Sequence, residues 1–293
     1  MKLGAISAAI TGASGGIGSE ICRRLAAGGA RVLLIGRNAA ALGALASTLS
    51  DLPPARGPAA ATGGDLPEDD RSRVDVLAVD LRLAQARLAV RDAARARQVN
   101  VLVNCAGIAS FGPLDSIDDA RLEEVIATNL TVPIALTRLL LPTLQGADQA
   151  AILNIGSVLG SIGMPGFSAY AASKAGLHAF SQALRRELAG GPVRVQFLGA
   201  RATRTAFNSP RVEAFNRATG AHSDPPAVVA QAAVELLLSG RKEKYIGAAE
   251  RFLMHLNAMA PGWLDAGFRR HRLALAQAHA SPPPSSSQDL PLT

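Results

Sequence analysis

Six short apolar runs punctuate the chain at residues 5–11, 31–35, 74–79, 99–103, 150–155 and 193–198, and stretches of helical periodicity separate them. The runs are continuously apolar rather than alternating. A strand that is apolar on both faces must be covered on both faces. Strands of that kind alternating with helices build a parallel sheet between two helical layers. The expected fold is therefore α/β, a doubly wound parallel sheet in three α/β/α layers, with ligand held at the carboxyl ends of the strands. At 293 residues and 48% hydrophobic content the chain can bury one large core. Residues 1–247 are assigned to that unit, 248–278 to an amphipathic helical extension, and 279–293, rich in Pro and Ser, to a disordered tail. Residues 51–73, rich in Pro, Gly, Ala and acids, read as a long exposed loop.

The first strand runs into TGASGGIG at residues 11–18, and a helix follows. Gly12, Gly16 and Gly18 suit a tight turn whose backbone must be approached by a pyrophosphate. The helix N-terminus adds partial positive charge at the same place. The second strand ends in Ile35, Gly36, Arg37 and Asn38. A site for NAD carries an acid there to bind the ribose 2′-hydroxyl. Here the acid is absent and Arg37 is present, a match for a 2′-phosphate, so NADP(H) is expected over NAD(H). The plain alternative for Arg37 is an exposed loop arginine. Asp80 ends the third strand, placed to bond an adenine amino group. Asn104, Cys105, Ala106 and Gly107 end the fourth, small enough for the backbone to pass a cofactor.

Within residues 157–174, Ser157 is followed thirteen residues later by Tyr170 and four after that by Lys174. Four residues make about one helical turn, so Tyr170 and Lys174 share a face. A phenol titrates near ~10, and a cation one turn away lowers that value toward the range useful for acid–base work. Ser157 offers a hydroxyl to a carbonyl oxygen. The pattern also arises by chance as a solvated pair. Asn129, set within an expected helix over residues 118–141, is either a functional amide or a structural hydrogen bond.

Taken together, TGASGGIG, Asp80, NCAG at 104–107, Asn129, Ser157 and Tyr170-x-x-x-Lys174 resemble the classical short-chain dehydrogenase/reductase family, over about residues 3–247. The resemblance implies a Rossmann fold and an NADP(H)-dependent oxidoreductase acting on a ketone or secondary alcohol. It implies Tyr170 as proton donor or acceptor, and Lys174 as the residue that holds the nicotinamide ribose and lowers the tyrosine pKa. Ser157 would orient the substrate oxygen and Asn129 would fix a relay water. The implied cofactor contacts are Gly12, Ser14, Gly16, Ile17, Gly18, Arg37, Asp80, Leu81, Asn104, Ala106, Gly107, Tyr170, Lys174, Thr203 and Thr205; no metal is implied. A homodimer or homotetramer is also implied. Two departures stand out. Cys105 replaces an asparagine, and Ala200-Arg201 stand where the family has Pro-Gly. Arg201 is expected either to turn outward, the favoured reading, or to meet an anionic substrate group. A non-catalytic nucleotide sensor or membrane-associated scaffold on the same fold is the competing function, and it predicts decay of Ser157, Tyr170 or Lys174, none of which has decayed.

A net charge of +7 raises the question of nucleic acid, but the arginines are dispersed and aromatics are 4%, so no nucleic-acid partner is expected. Two cysteines, Cys22 and Cys105, make no disulfide framework, and a cytoplasmic setting is expected. No apolar run reaches the ~18 residues of a membrane span. The start does not read as a signal peptide, because its apolar run breaks into glycines. The extension carries Phe252, Leu256, Met259, Trp263, Leu264 and Phe268, then a basic cluster at residues 269–272, with Pro261-Gly262 as a break. Three readings compete. It packs over the substrate cleft, lies peripherally on an anionic membrane, or docks a protein. The first two suit a lipid-like or acyl substrate.

Overall fold

The computed structural model describes residues 1–52 and 73–280. The loop expected at 51–73 and the tail expected at 279–293 therefore lie almost wholly outside the described residues. The elements in chain order are β1 (Ser7–Thr11), α1 (Gly16–Ala27), β2 (Arg31–Gly36), α2 (Ala39–Ser50), β3 (Val74–Ala78), α3 (Ala84–Ala96), β4 (Val101–Asn104), α4 (Asp119–Ile126), α5 (Val132–Gln145), β5 (Ala150–Ser157), α6 (Ser168–Glu187), β6 (Val193–Ala200), α7 (Pro210–Thr219), α8 (Pro226–Ser239), β7 (Glu243–Tyr245), α9 (Ala248–Met259), α10 (Pro261–Gly267) and α11 (Arg269–Ala280).

All seven strands are parallel, in the order β3-β2-β1-β4-β5-β6-β7. The central strands are buried along their whole length, as their unbroken apolar sequences require. One core lies under α1, α2 and α8, and includes Ile10, Leu34, Val103 and Val229. The other lies under α3, α5 and α6, and includes Leu33, Leu102, Leu136 and Ile152. The winding direction reverses between β1 and β4, and that reversal opens a crevice at their carboxyl ends.

Two elements differ from the sequence reading. α1 begins at Gly16 rather than after the glycine loop, so the loop supplies the helix's first turn. The long helix expected over 118–141 is interrupted by a π turn at Ala127–Thr131, where the Val132 N–H reaches back to the Ala127 carbonyl. Pro133 is the physical reason, since it has no N–H for the carbonyl four residues back, that of Asn129. The run Asp119–Gln145 is long and apolar enough by composition to cross a membrane. In the fold its stripe of Val132, Leu136, Leu140 and Leu144 is buried against the sheet.

The extension does break at the expected place. Ala260, with φ −147° and ψ 68°, separates α9 from α10 ahead of Pro261. α11 returns to pack on α7, placing Ala274 and Leu275 against Phe167, Phe215 and Val212. Asn257 Nδ2 donates to Ser161 O at 2.9 Å, and Arg270 Nε to Ala218 O at 2.8 Å.

Candidate active site

A cavity of about 1110 Å³ opens at the carboxyl ends of the strands. Of the candidate catalytic and cofactor-binding residues, all but Asn104 and Asn129 line it. At one end lies the glycine loop. Thr11 Oγ1 accepts from the Cys105 and Ala106 N–H groups, each at 3.0 Å, and so ties the end of β1 to the end of β4. Gly12 has φ +67°, and a Cβ there would sit 2.8 Å from Ala106 Cα. A Cβ on Gly18 would meet Gly12 O at 2.1 Å. Only glycine fits either position. α1 starts with no side-chain cap at Gly15, which leaves its first N–H groups free for an anion. This glycine-walled cleft over a helix N-terminus fits a dinucleotide.

Beyond the end of β2, Glu124 collects three arginines. Its carboxylate lies 3.0 Å from Arg82 Nη1, 2.5 Å from Arg121 Nη1 and 4.0 Å from Arg37 Nη1. Asp80 is not free, because Arg82 holds its two oxygens at 2.6–3.1 Å. That pairing holds the Asp80 carboxyl below its ordinary range. Three arginines face two carboxylates here, and Arg37 is the least engaged of the three.

The other end of the cavity holds Ser157, Tyr170 and Lys174, all buried. Ser157 leaves the end of β5, and its Oγ accepts from Leu159 N–H at 3.1 Å. Lys174 Nζ donates to Ile155 O at 3.1 Å and lies 5.8 Å from the Tyr170 ring centroid. Burial pushes the phenol up to about 12, opposed by a hydrogen bond with Ser157. The expectation that Lys174 holds Tyr170 below its ordinary value is therefore corrected: among the protein's own groups, desolvation wins. The same burial pushes the Lys174 ammonium down to about 8, leaving it charged at neutral pH.

Asn129 sits within the π turn, wholly buried. Its Oδ1 accepts from Ile108 N–H at 2.8 Å, and its Nδ2 donates to Ile108 O and to Ser173 Oγ, each at 3.0 Å. The side chain thus spans the strand-to-loop backbone after β4 and the helix that carries Tyr170. Asn104 departs from its expected role. Its side chain turns into the core, where Nδ2 donates to Asn154 Oδ1 at 2.8 Å. Cys105, Ala106 and Gly107 line the cleft instead.

Arg201 neither turns outward nor stands free for a substrate anion. It forms a two-bonded pair with Asp224, at 2.7 and 2.8 Å, and reaches Glu250 of α9 at 3.2 Å. The sequence reading did not single out Asp224 or Glu250, because nothing local marks their partner. Thr203 pairs by a backbone bridge with Asp224, and Thr205 lies against Gly16, where a Cβ would meet its Cγ2. An aromatic cluster of Phe111, Phe167, Phe207 and Phe215, of which Phe167 and Phe207 reach the cavity, was also missed. It comes from four separate segments, and only the spacing of Phe167 from Tyr170 was visible in the chain.

A family model described as short chain dehydrogenase matches residues 7–215. Galactitol 2-dehydrogenase (L-tagatose-forming) of Cereibacter sphaeroides is 37% identical over 200 residues, covering 67% of this chain and 71% of that protein. A short-chain dehydrogenase of Sphingobium yanoikuyae, solved in complex with NADPH, is similar at TM-score 0.70 and 28% identity, over 89% of this chain and 95% of the other. A short chain dehydrogenase/reductase of Burkholderia phymatum, solved in complex with NAD, shares the fold at TM-score 0.75 and 21% identity, over 90% and 96%.

Proposed function

The chain belongs to the short-chain dehydrogenase/reductase family, and on that premise we propose that it is an NADP(H)-dependent oxidoreductase that interconverts a ketone and a secondary alcohol. The observation that carries the reading is the convergence of Ser157, Tyr170 and Lys174 at one end of a cavity whose other end is the glycine loop. When bound, the nicotinamide supplies the redox equivalent for the substrate carbon. The protein's share is position and the proton. With its pKa at about 12, Tyr170 holds its proton across the neutral range and is ready to donate it to a carbonyl oxygen. The charged Lys174, held by Ile155 O, stabilises the phenolate left behind. Ser157 accepts the Leu159 N–H on its oxygen and is hydrogen-bonded with Tyr170, so a substrate oxygen bound there would meet both hydroxyls. Asn129 fixes the turn of backbone that faces Lys174, where Gly107 lies beside both side chains. A Tyr170→Phe variant should lose NADPH-dependent ketone reduction by about a hundred-fold or more, with NADPH binding intact by fluorescence titration. Wild-type turnover in that variant would sink the mechanism.

The preference for NADP(H) rests on the arginine cluster around Arg37. It does not rest on likeness, since similar folds hold NADPH in one case and NAD in another. The cytoplasmic setting rests on Cys22 and Cys105 both being free thiols. The homo-oligomer is a proposal from exposed Leu122 and Ile134 on α4 and α5, and sedimentation equilibrium tests it.

The extension supports two of its readings at once. Its inner side packs over the cavity, with Leu253, Leu264 and Phe268 in the lining. Its outer side exposes Phe252 (67%), Met259 (86%) and Trp263 (77%) beside Arg251, Arg269 and Arg270. Apolar anchors flanked by cations match an anionic bilayer surface, the occupant we assign to this face. Vesicle co-sedimentation tests it.

A further inference from the structure

The cavity runs from the glycine loop past Tyr170 to the extension, which gives it Leu253, Leu264 and Phe268. Leu159 and Met164, from the loop between β5 and α6, line the same cavity and pack in one cluster with Tyr170. These side chains are hydrocarbon or thioether, so the space around the proton donor suits apolar groups. Arg201 and Glu250 also line the cavity, but they are bonded to each other at 3.2 Å, and Asp224 holds the guanidinium at 2.7 and 2.8 Å. The guanidinium that ties the extension to the sheet is therefore occupied. A substrate carboxylate or phosphate would have to displace a carboxylate to reach it.

The wall that the extension forms is one helix thick. Leu253 lines the cavity, and Phe252 beside it in α9 is exposed. Leu264 lines the cavity, and Trp263 beside it in α10 is exposed. Successive helical residues point about 100° apart, so each pair divides between the inner surface and the outer one. Leu253 is itself 37% exposed, and Phe207, also in the lining, is 40% exposed. A side chain that lines a cavity and still meets solvent stands at its mouth, so Leu253 and Phe207 form the rim. The mouth thus opens beside the apolar outer surface of the extension. That surface carries exposed Arg251, Arg269, Arg270 and Arg272 against one exposed acid of the extension's described residues, Asp265. It matches an anionic bilayer by charge as well as by apolar content.

We propose that the cavity draws its substrate from the bilayer, and that the substrate is a ketone with a long, uncharged hydrocarbon body. It enters past Leu253 and lies against Leu264 and Phe268, which act as specificity-determining residues. A hydrocarbon chain that passes from lipid into this cavity stays out of water, which avoids the hydration cost that each CH2 would otherwise incur. This inference rests on the ketone-reducing reading and on the membrane face assigned above, and it adds to them the route and the substrate class.

The test uses the full chain with NADPH and two ketones, methyl undecyl ketone in vesicles and methyl ethyl ketone in solution. Phosphatidylglycerol and phosphatidylcholine vesicles carry the same mole fraction of the long ketone, so its free concentration in water is matched, while the protein gathers on the anionic vesicles. NADPH consumption with the long ketone should be about ten-fold faster on the anionic vesicles, and with the short ketone equal in the presence of either. Trp263→Ala, a change at the exposed surface, should bring the long-ketone ratio toward one. Phe268→Ala should sediment with anionic vesicles as the parent does. Its KM for the long ketone should rise about ten-fold, the worth of one buried phenylalanyl ring, with a far smaller change for the short one. Equal long-ketone rates on both vesicles, a ratio that survives Trp263→Ala, or equal KM changes for both ketones in Phe268→Ala would each overturn the proposal. Turnover of the short ketone with the long one inert would overturn it too and leave the reductase reading standing. NADPH consumption with neither ketone would overturn the reductase reading, and this inference with it.

Discussion

At the residue scale the site divides into positions that local chemistry fixes and positions that it does not. Tyr170 and Lys174 were legible because one helical turn puts them on one face wherever that helix lies. The direction of the tyrosine's shift was not legible, because it depends on how much protein covers the ring. Arg37 was legible as an absence, a missing acid at the end of β2. Its side chain is 61% exposed and only loosely engaged by Glu124 at 4.0 Å, so it can turn to a 2′-phosphate. Arg37→Asp should weaken NADPH binding by about ten- to a hundred-fold, the worth of a charge-assisted bond, and change NADH binding far less. Equal losses for both nucleotides would sink the cofactor preference.

At the element scale, the clasp of Arg201, Asp224 and Glu250 joins the end of β6, the approach to α8 and the first turn of α9. Asp224 is almost fully buried, so removing its partner leaves a carboxylate with little water. The pair replaces the Pro-Gly that the family resemblance would place there, and it couples the extension to the sheet. Arg201→Ala should cost about 2 kcal/mol, less than breaking a fully buried pair, because the guanidinium keeps some solvent. That is several degrees in Tm. The pH dependence follows from Asp224, whose carboxyl Arg201 holds below its ordinary value. Its contribution is complete above the unfolded pKa of about 3.9, and is lost as pH falls through the lower folded value. The gap in Tm between parent and variant should therefore be constant from pH 7 to about 5 and close on further acidification. A gap that does not narrow at all as pH falls below about 4 would mean that the clasp acts by packing alone. The π turn teaches a related lesson. Pro133 marked it in the sequence, but periodicity alone reads straight through it, since one extra residue shifts a helix face without interrupting the apolar pattern.

At the scale of the whole molecule, a charge of +7 is spread over helices except where the extension gathers Arg269, Arg270 and Arg272 beside exposed Trp263 and Met259. The full chain should sediment with phosphatidylglycerol vesicles at low salt and be released as salt rises, since screening weakens the arginine term first. Trp263→Ala should reduce binding at every salt concentration. Equal sedimentation with neutral vesicles, or none with anionic ones, would remove the membrane from the account. The sequence by itself determined the alternation of strand and helix, the glycine cradle and the Ser157, Tyr170 and Lys174 set, because each follows from periodicity or spacing within one element or one turn. The tertiary structure alone decided that Arg201 clasps Glu250, 49 residues away, and that Asn104 faces the core. Those outcomes depend on which distant surfaces meet when the core closes, and no local pattern in the chain encodes the partner.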